Sequence, residues 1–377
     1  MPMDAEAATV RLTSAGLATG RFRPLFRQSI NAHGLILALA FVYLAGFMVL
    51  SAAEPAVAAK SGLDVGIGIM TFSLPAALFA LAGYKFGEMA LYEKPGRPIP
   101  ALWRNVKAVL TSPAQMANGL PMVLGMVVFM YAFTMIKGNI PAVEPFSWDR
   151  TFDRWDVALH FGYRPWELLQ PVLGYWPVTF IINFNYNFWF VVMNVFWVYF
   201  AFIARPGVAR TRFFLAFTLT WMIGGSLLAI VFSSAGPCYF SRLALSPDPY
   251  APLMAYLNDA NAHATIWALG TQDLLWNYLL DGSALGGISA MPSMHNATTL
   301  LFVLAAGSFP RWVRIALWAH LVLIFLGSIH LGWHYAVDCY FGWAIAYVVW
   351  RLAGSIARWW ESKPAALSFA TALNRET

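Results

Sequence analysis

The chain has 377 residues, 59% of them apolar and 11% charged, with a net charge of +6. A soluble domain carries roughly 25% charged residues, so a soluble globular protein is excluded, and 29 Phe, 17 Trp and 15 Tyr suit the aromatic belts of a polytopic membrane protein. No basic run is interleaved with aromatics, so nucleic acid is not an expected partner; Cys238 and Cys339 lie too far apart for a metal motif and make no disulfide framework.

A bilayer core takes about 20 mostly apolar residues per helix. Residues 1–33 hold Arg11, Arg21, Arg23 and Arg27. No short apolar stretch with a small-residue cleavage site follows, so they read as a cytosolic segment and not a signal peptide. Spans are then expected at 34–53 and 65–84. With the cytosolic loop behind them they form a leading region, 34–113. Six more are expected at 118–136, 177–203, 213–232, 293–309, 313–331 and 336–356, a membrane domain over 114–356. Residues 357–377 read as a cytosolic tail. With the N-terminus inside, 18 of the 24 Lys and Arg fall on inner segments. The outer six are Lys60, Lys137, Arg150, Arg154, Arg164 and Arg242. This split is the positive-inside pattern and puts both termini in the cytosol. The expected fold is an all-α polytopic membrane bundle of about eight transmembrane helices.

Two outer segments are long, 137–176 and 233–292. In the first, Trp148, Asp149, Arg150, Phe152, Asp153, Arg154, Trp155, Asp156 and Leu159 alternate apolar and charged positions at helical spacing. They read as an amphipathic helix on the outer membrane face. The second opens at Ser-Ser-Ala-Gly-Pro-Cys-Tyr-Phe and closes at Ala290-Met291-Pro292. Trp267, Leu274, Leu275 and Trp276 argue for short ordered helices there. In span four, Asn183 and Asn187 share a face, for a polar cleft or for helix–helix hydrogen bonding.

Ionisable residues at membrane depth are costly, and each is a functional hypothesis. His33 and His320, taken singly, read as polar residues satisfied by neighbouring helices. Four others converge. His295 opens span six; His330, His334 and Asp338 sit between the end of span seven and the start of span eight. The hairpin of spans six and seven returns His334 to the rim that holds His295. Asp338 follows His334 by four residues, so on a helix they share one face. A neutral imidazole can attack phosphorus while a carboxylate fixes its tautomer. A second imidazole can protonate the leaving oxygen.

Pro292-Ser293-Met294-His295 followed by His334-x-x-x-Asp338 resembles two motifs of the type 2 phosphatidic acid phosphatase (PAP2) superfamily. Ser-Ala-Met-Pro-Ser-Met-His at 289–295, Gly-Ser-Ile-His-Leu-Gly-Trp-His-Tyr-Ala-Val-Asp at 327–338 and Ala-Gly-Pro-Cys-Tyr-Phe at 235–240 resemble its branch of aureobasidin-sensitive inositol phosphorylceramide synthases. Asp149 to Asp156 is a weaker match. The resemblance implies a six-helix core with its site facing away from the cytosol and no metal or other cofactor. It makes His334 the nucleophile, Asp338 its partner and His295 the general acid. The phosphatase branch also has Lys, six residues and Arg-Pro, which Arg164-Pro165 and Arg205-Pro206 do not reproduce, and Ser-Arg where Gly327 and Ser328 stand. Arg242 and His330 are then the first phosphate-binding candidates, with Ser293 beside His295, and Arg150, Arg154 and Arg164 behind them.

The expected activity is a lipid phosphatase or phosphotransferase working through a phosphohistidine. Its donor is a phospholipid or polyprenyl phosphate. Its acceptor is water or an inositol- or sphingolipid-like alcohol, with the resemblance leaning to inositolphosphotransferase-like transfer. A bacterial inner membrane with a periplasm-facing site is the expected location. Two alternatives compete. His330, His334 and Asp338 at four-residue spacing, with His295, could hold a metal. A transporter or non-catalytic lipid-binding protein is the other, although no inverted repeat appears.

Overall fold

The computed structural model describes residues 19–53, 63–283 and 285–376. Arg11 and Lys60 of the charge pattern, with most of the leading segment expected in the cytosol, lie outside them. Among the described residues the chain is helical and has no strand. A helix satisfies its own backbone groups, as hydrocarbon requires.

Helix α1 (Thr19–Ala32) precedes α2 (Gly34–Ala53) and α3 (Leu63–Glu88). Pro98 starts α4 (Pro98–Thr111), and Pro113 starts α5 (Pro113–Gly138), where Ser112 Oγ accepts the Gln115 N–H at 3.2 Å. Proline at the first helical position lacks only an N–H that has no partner there. The amphipathic stretch becomes α6 (Asp149–Leu159), followed by α7 (Pro165–Leu173). Helices α8 (Trp176–Ile203) and α9 (Val208–Val231) come next, each partly wound as π-helix. Residues 233–292 hold α10 (Ala251–His263) and α11 (Trp267–Leu280). The chain finishes with α12 (Met294–Ala305), α13 (Arg311–His330), α14 (Ala336–Glu361) and α15 (Pro364–Glu376).

A helix lies at each of the eight expected spans. Five of them, α2, α5, α8, α9 and α13, are long and apolar enough to cross a membrane. Helices α3 and α14 run 26 residues each. The expected span at 293–309 is shorter than proposed. Helix α12 has 12 residues, about 18 Å at 1.5 Å per residue, against a hydrocarbon core of about 30 Å. A 3-10 turn at Ala306–Ser308 and Pro310 end it.

Helix α14 packs most extensively on α9 and also on α12, while α12 and α8 both meet α13. The interior is a continuous apolar cluster including Phe129, Phe213, Phe217, Leu301, Phe302 and Ala353. Helix α2 packs on α5 at its flank, and α1 packs against α5 and α15. This arrangement brings the start of α12 and the α13–α14 connection to the same end of the bundle, where α6 and α11 meet that connection.

Candidate active site

Helix α13 ends at His330, and the chain leaves it through Gly332 at φ +73°, a left-handed position that favours glycine. His334 lies in the connection, two residues before α14. Asp338, in the first turn of α14, reaches back: its Oδ2 accepts the Tyr335 N–H at 3.0 Å and faces His334 Nδ1 at 3.3 Å. The expected pairing along one helical face therefore takes another form. His334 is not helical, and one carboxylate both caps the helix and orients the imidazole.

Ser293 caps α12, its Oγ accepting the Asn296 N–H at 3.5 Å. The Ser293 N–H donates to the Asp338 carbonyl at 3.0 Å, which pins the start of α12 to the first turn of α14. The His295 ring stacks on Tyr186, with centroids 4.5 Å apart, and lies 4.3 Å from Trp189. His295 and His334 line one cavity of about 290 Å³, together with Lys137, Tyr186, Asn187 and Ser289. Burial, and then the charge of Lys137, push the His334 imidazole down to about 3, with a backbone contact at Ala290 acting the other way. His334 is thus neutral at physiological pH, as a nucleophile requires.

The other expected phosphate ligands do not line this cavity. His330 is fully buried, and its Nε2 meets Thr179 Oγ1 at 2.8 Å. Arg242 pairs with Asp273. Ser293 is spent on its cap. Arg164 donates to both oxygens of Asp153, at 2.7 and 3.1 Å, and that hydrogen bonding raises its pKa. Arg150 donates to the Ser246 carbonyl at 3.2 Å, and Arg154 to the Arg150 carbonyl at 3.2 Å. Because His330 is turned to Thr179, it does not join His334 and Asp338. Among the described residues no group of three or more His, Cys, Asp or Glu is placed to hold a metal.

The cation that does reach the cavity is Lys137, which sequence reasoning passed over. It is half-buried at the end of α5, and no carboxylate pairs with it among the described residues. Its one mark in the sequence is that it is the single charged residue of α5. The acidic face of α6 was also undervalued. Asp149, Asp153 and Asp156 are each less than a tenth exposed, and they face inward from positions i, i+4 and i+7. Burial raises the carboxyl of Asp149 and pushes that of Asp156 up to about 7.

The sequence profile of the PAP2 superfamily matches residues 150–352. That stretch holds α6 through most of α14 and both histidines. No curated protein and no solved structure matches the chain.

Proposed function

Since the chain belongs to the PAP2 superfamily, we propose that it transfers a phosphoryl group from a membrane lipid phosphate through a phosphohistidine at His334. The observation that carries this reading is the shared cavity: His295, His334 and Lys137 line it, and Asp338 stands behind His334 Nδ1. His334 Nε2 attacks phosphorus, and Asp338 stabilises the imidazolium that develops. His295, stacked on Tyr186 and met edge-on by Phe190, protonates the departing oxygen and then deprotonates the incoming one. Lys137 neutralises the phosphate as a point charge.

The cavity holds about 290 Å³, room for a phosphorylated headgroup while the lipid tails stay in the bilayer. Water as acceptor gives a phosphatase and an alcohol gives a transferase, both through one intermediate. Asn187, Thr271 and Ser289 on the cavity wall offer partners for a hydroxylated headgroup, which supports the inositolphosphotransferase-like form of the reading. The expected setting is a bacterial inner membrane with the cavity on the periplasmic side.

The test incubates purified protein with a panel of phospholipids and polyprenyl phosphates and follows released phosphate against transferred headgroup. Turnover that disappears in His334→Ala is the expected result. Turnover that persists in His334→Ala would sink the reading.

A further inference from the structure

The reaction above leaves three buried carboxylates on α6 without a task. Two of them grip the segment that carries His334, and one of these also holds the loop that meets the segment of His295. Asp156 Oδ2 accepts the Ala336 N–H at 2.8 Å, and its Oδ1 accepts the Val337 N–H at 3.0 Å. These are the first two N–H groups of α14, donors with no partner inside the helix. Asp149 Oδ1 accepts the Gly236 N–H at 2.8 Å and the Tyr335 hydroxyl at 2.9 Å, and its Oδ2 accepts the Ala235 N–H at 3.0 Å. Tyr335 is the neighbour of His334.

The loop that Asp149 holds reaches both histidines' segments. The Ser234 carbonyl accepts the Ala290 N–H at 2.9 Å, and Ser234 Oγ accepts the Met291 N–H at 3.2 Å, four residues before His295. The Cys238 N–H donates to the Gly332 carbonyl at 2.8 Å, two residues before His334. Gly236 has φ +107°, and a Cβ there would lie 2.5 Å from the Trp333 carbonyl, so the loop runs directly against the nucleophile's connection. Ser233 and Ser234 are fully buried. Asp153 differs from its neighbours. It takes Arg164 and the Tyr250 hydroxyl, the latter at 2.8 Å, and touches neither histidine segment.

We infer that Asp149 and Asp156 are positioning residues that set the register between His334 and His295, while Asp153 on the same helix only secures the outer loops. This inference rests on the function proposed above. An Asn at 156 would keep one acceptor and turn an N–H₂ toward the other backbone N–H. Donor would face donor, and the first turn of α14 would shift with His334 attached. A misplacement of about 1 Å costs on the order of 10²-fold in a reaction that depends on alignment.

The experiment uses the full-length purified protein and inorganic orthovanadate as probe, because vanadate imitates the five-coordinate phosphorus of the transfer. Its affinity is read by thermal shift in wild type and in His334→Ala, Asp149→Asn, Asp156→Asn, Asp153→Asn and Tyr335→Phe. Loss of vanadate affinity by about 10²-fold in Asp149→Asn and Asp156→Asn, with Asp153→Asn within about threefold of wild type, is the expected result. A uniform loss in all three, or none in any, would overturn the inference, because a brace for the fold alone cannot tell the three carboxylates apart. Should Asp149→Asn not fold, Tyr335→Phe removes only the hydroxyl that Asp149 accepts. It must weaken vanadate in the same direction for the inference to stand. His334→Ala separates the two levels: wild-type vanadate affinity there overturns the proposed function itself and takes the positioning roles with it.

Discussion

The two ends of the bundle bury charge in opposite ways. At the cavity end the buried charged groups are carboxylates, Asp149, Asp153, Asp156 and Asp338, and they accept from loop and helix N–H groups and from tyrosine hydroxyls. At the opposite end the buried charge is Arg210, 2% exposed. It donates to the carbonyls of Phe200 at 2.6 Å, Asn118 at 2.7 Å and Ala201 at 3.2 Å, and it meets His33 Nε2. No ion pair joins it to a carboxylate among the described residues. Since a guanidinium only donates, His33 must accept at Nε2 and donate from Nδ1 to Ser29 Oγ, 2.9 Å away. Phe200 and Ala201 lie in the last turn of α8, where carbonyls lack helical partners and the dipole favours a cation. Both ends thus tie helix termini with buried charge. Only the carboxylate end is connected to the cavity, so the same kind of bond serves the fold at one end and alignment at the other.

The comparison breaks most visibly at the histidines. His334→Ala should leave no labelled phosphoenzyme in a rapid-quench experiment with labelled lipid. His295→Ala should cost roughly 10²–10⁴-fold with an alkyl leaving group and recover much of the first step with a nitrophenyl ester, whose leaving group needs no proton. Label on His295 would reverse the two roles. Lys137→Met removes a charge-assisted contact worth about 1.5–3 kcal/mol, so kcat/KM should fall about ten- to hundredfold while the melting temperature holds. An unchanged kcat/KM would take Lys137 out of the phosphate site.

Arg210→Met tests the other end. It leaves buried carbonyls unpaired at about 1–3 kcal/mol, and should lower the melting temperature while each folded molecule keeps wild-type kcat. A fall in kcat without a fall in stability would mean that the two ends are coupled. Asp156 sharpens the contrast through pH. Burial holds its carboxyl at about 7, with the nearby charge of Asp338 adding to the rise and the Ala336 and Val337 N–H groups and His160 opposing it; Tyr340, Cys339 and Tyr250 also face it. An unfolded Asp titrates near 3.9. Between these values the folded chain binds a proton that the unfolded chain lacks, so this residue's contribution to stability falls as pH rises to about 7 and is level above it. Turnover should move the other way, since only the carboxylate accepts both N–H groups well. The difference between wild type and Asp156→Asn, in melting temperature and in kcat from pH 5 to 8, should show these opposed slopes. Parallel slopes would refute the assignment.

Much of the fold could be read from composition, because hydrocarbon demands long apolar helices. Helix α12 was misjudged in length, since Leu301, Phe302 and their neighbours are equally apolar whether the helix spans or stops at Ala306. The pairing of His334 with Asp338 was legible from spacing, although a capping contact produces it and not a continuous helix. Lys137 was hidden by its place: a lone Lys at the end of an apolar run looks like an interfacial anchor until the chain brings Gly287 and Ile288 over it. The acidic face of α6 was visible as a period, but its direction was not. Aspartates on an amphipathic helix ordinarily face water, and the N–H groups at the start of α14 and at Ala235–Gly236 give Asp156 and Asp149 a reason to face inward. Those partners lie 86 to 181 residues away along the chain, beyond any local pattern.

The smallest effect is expected at Arg242, the cation that sequence alone placed first. Its guanidinium pairs with Asp273 near solvent and lies 5.8 Å from the centroid of Tyr239 and 5.6 Å from that of Trp276. Tyr239 lines the cavity, but Arg242 does not. An ion pair this exposed contributes about 0.2–1 kcal/mol, and the ring contacts about 0.5–1 kcal/mol. Arg242→Gln keeps the apolar stem and part of the hydrogen-bonding capacity. It should lower the melting temperature by about 1–3 °C and leave kcat/KM within about twofold of wild type. Set beside Lys137→Met, this measurement decides which cation the phosphate meets. A loss in Arg242→Gln as large as that in Lys137→Met would mean that the segment behind Pro237 closes over the cavity during turnover and brings a second positive charge to the phosphate.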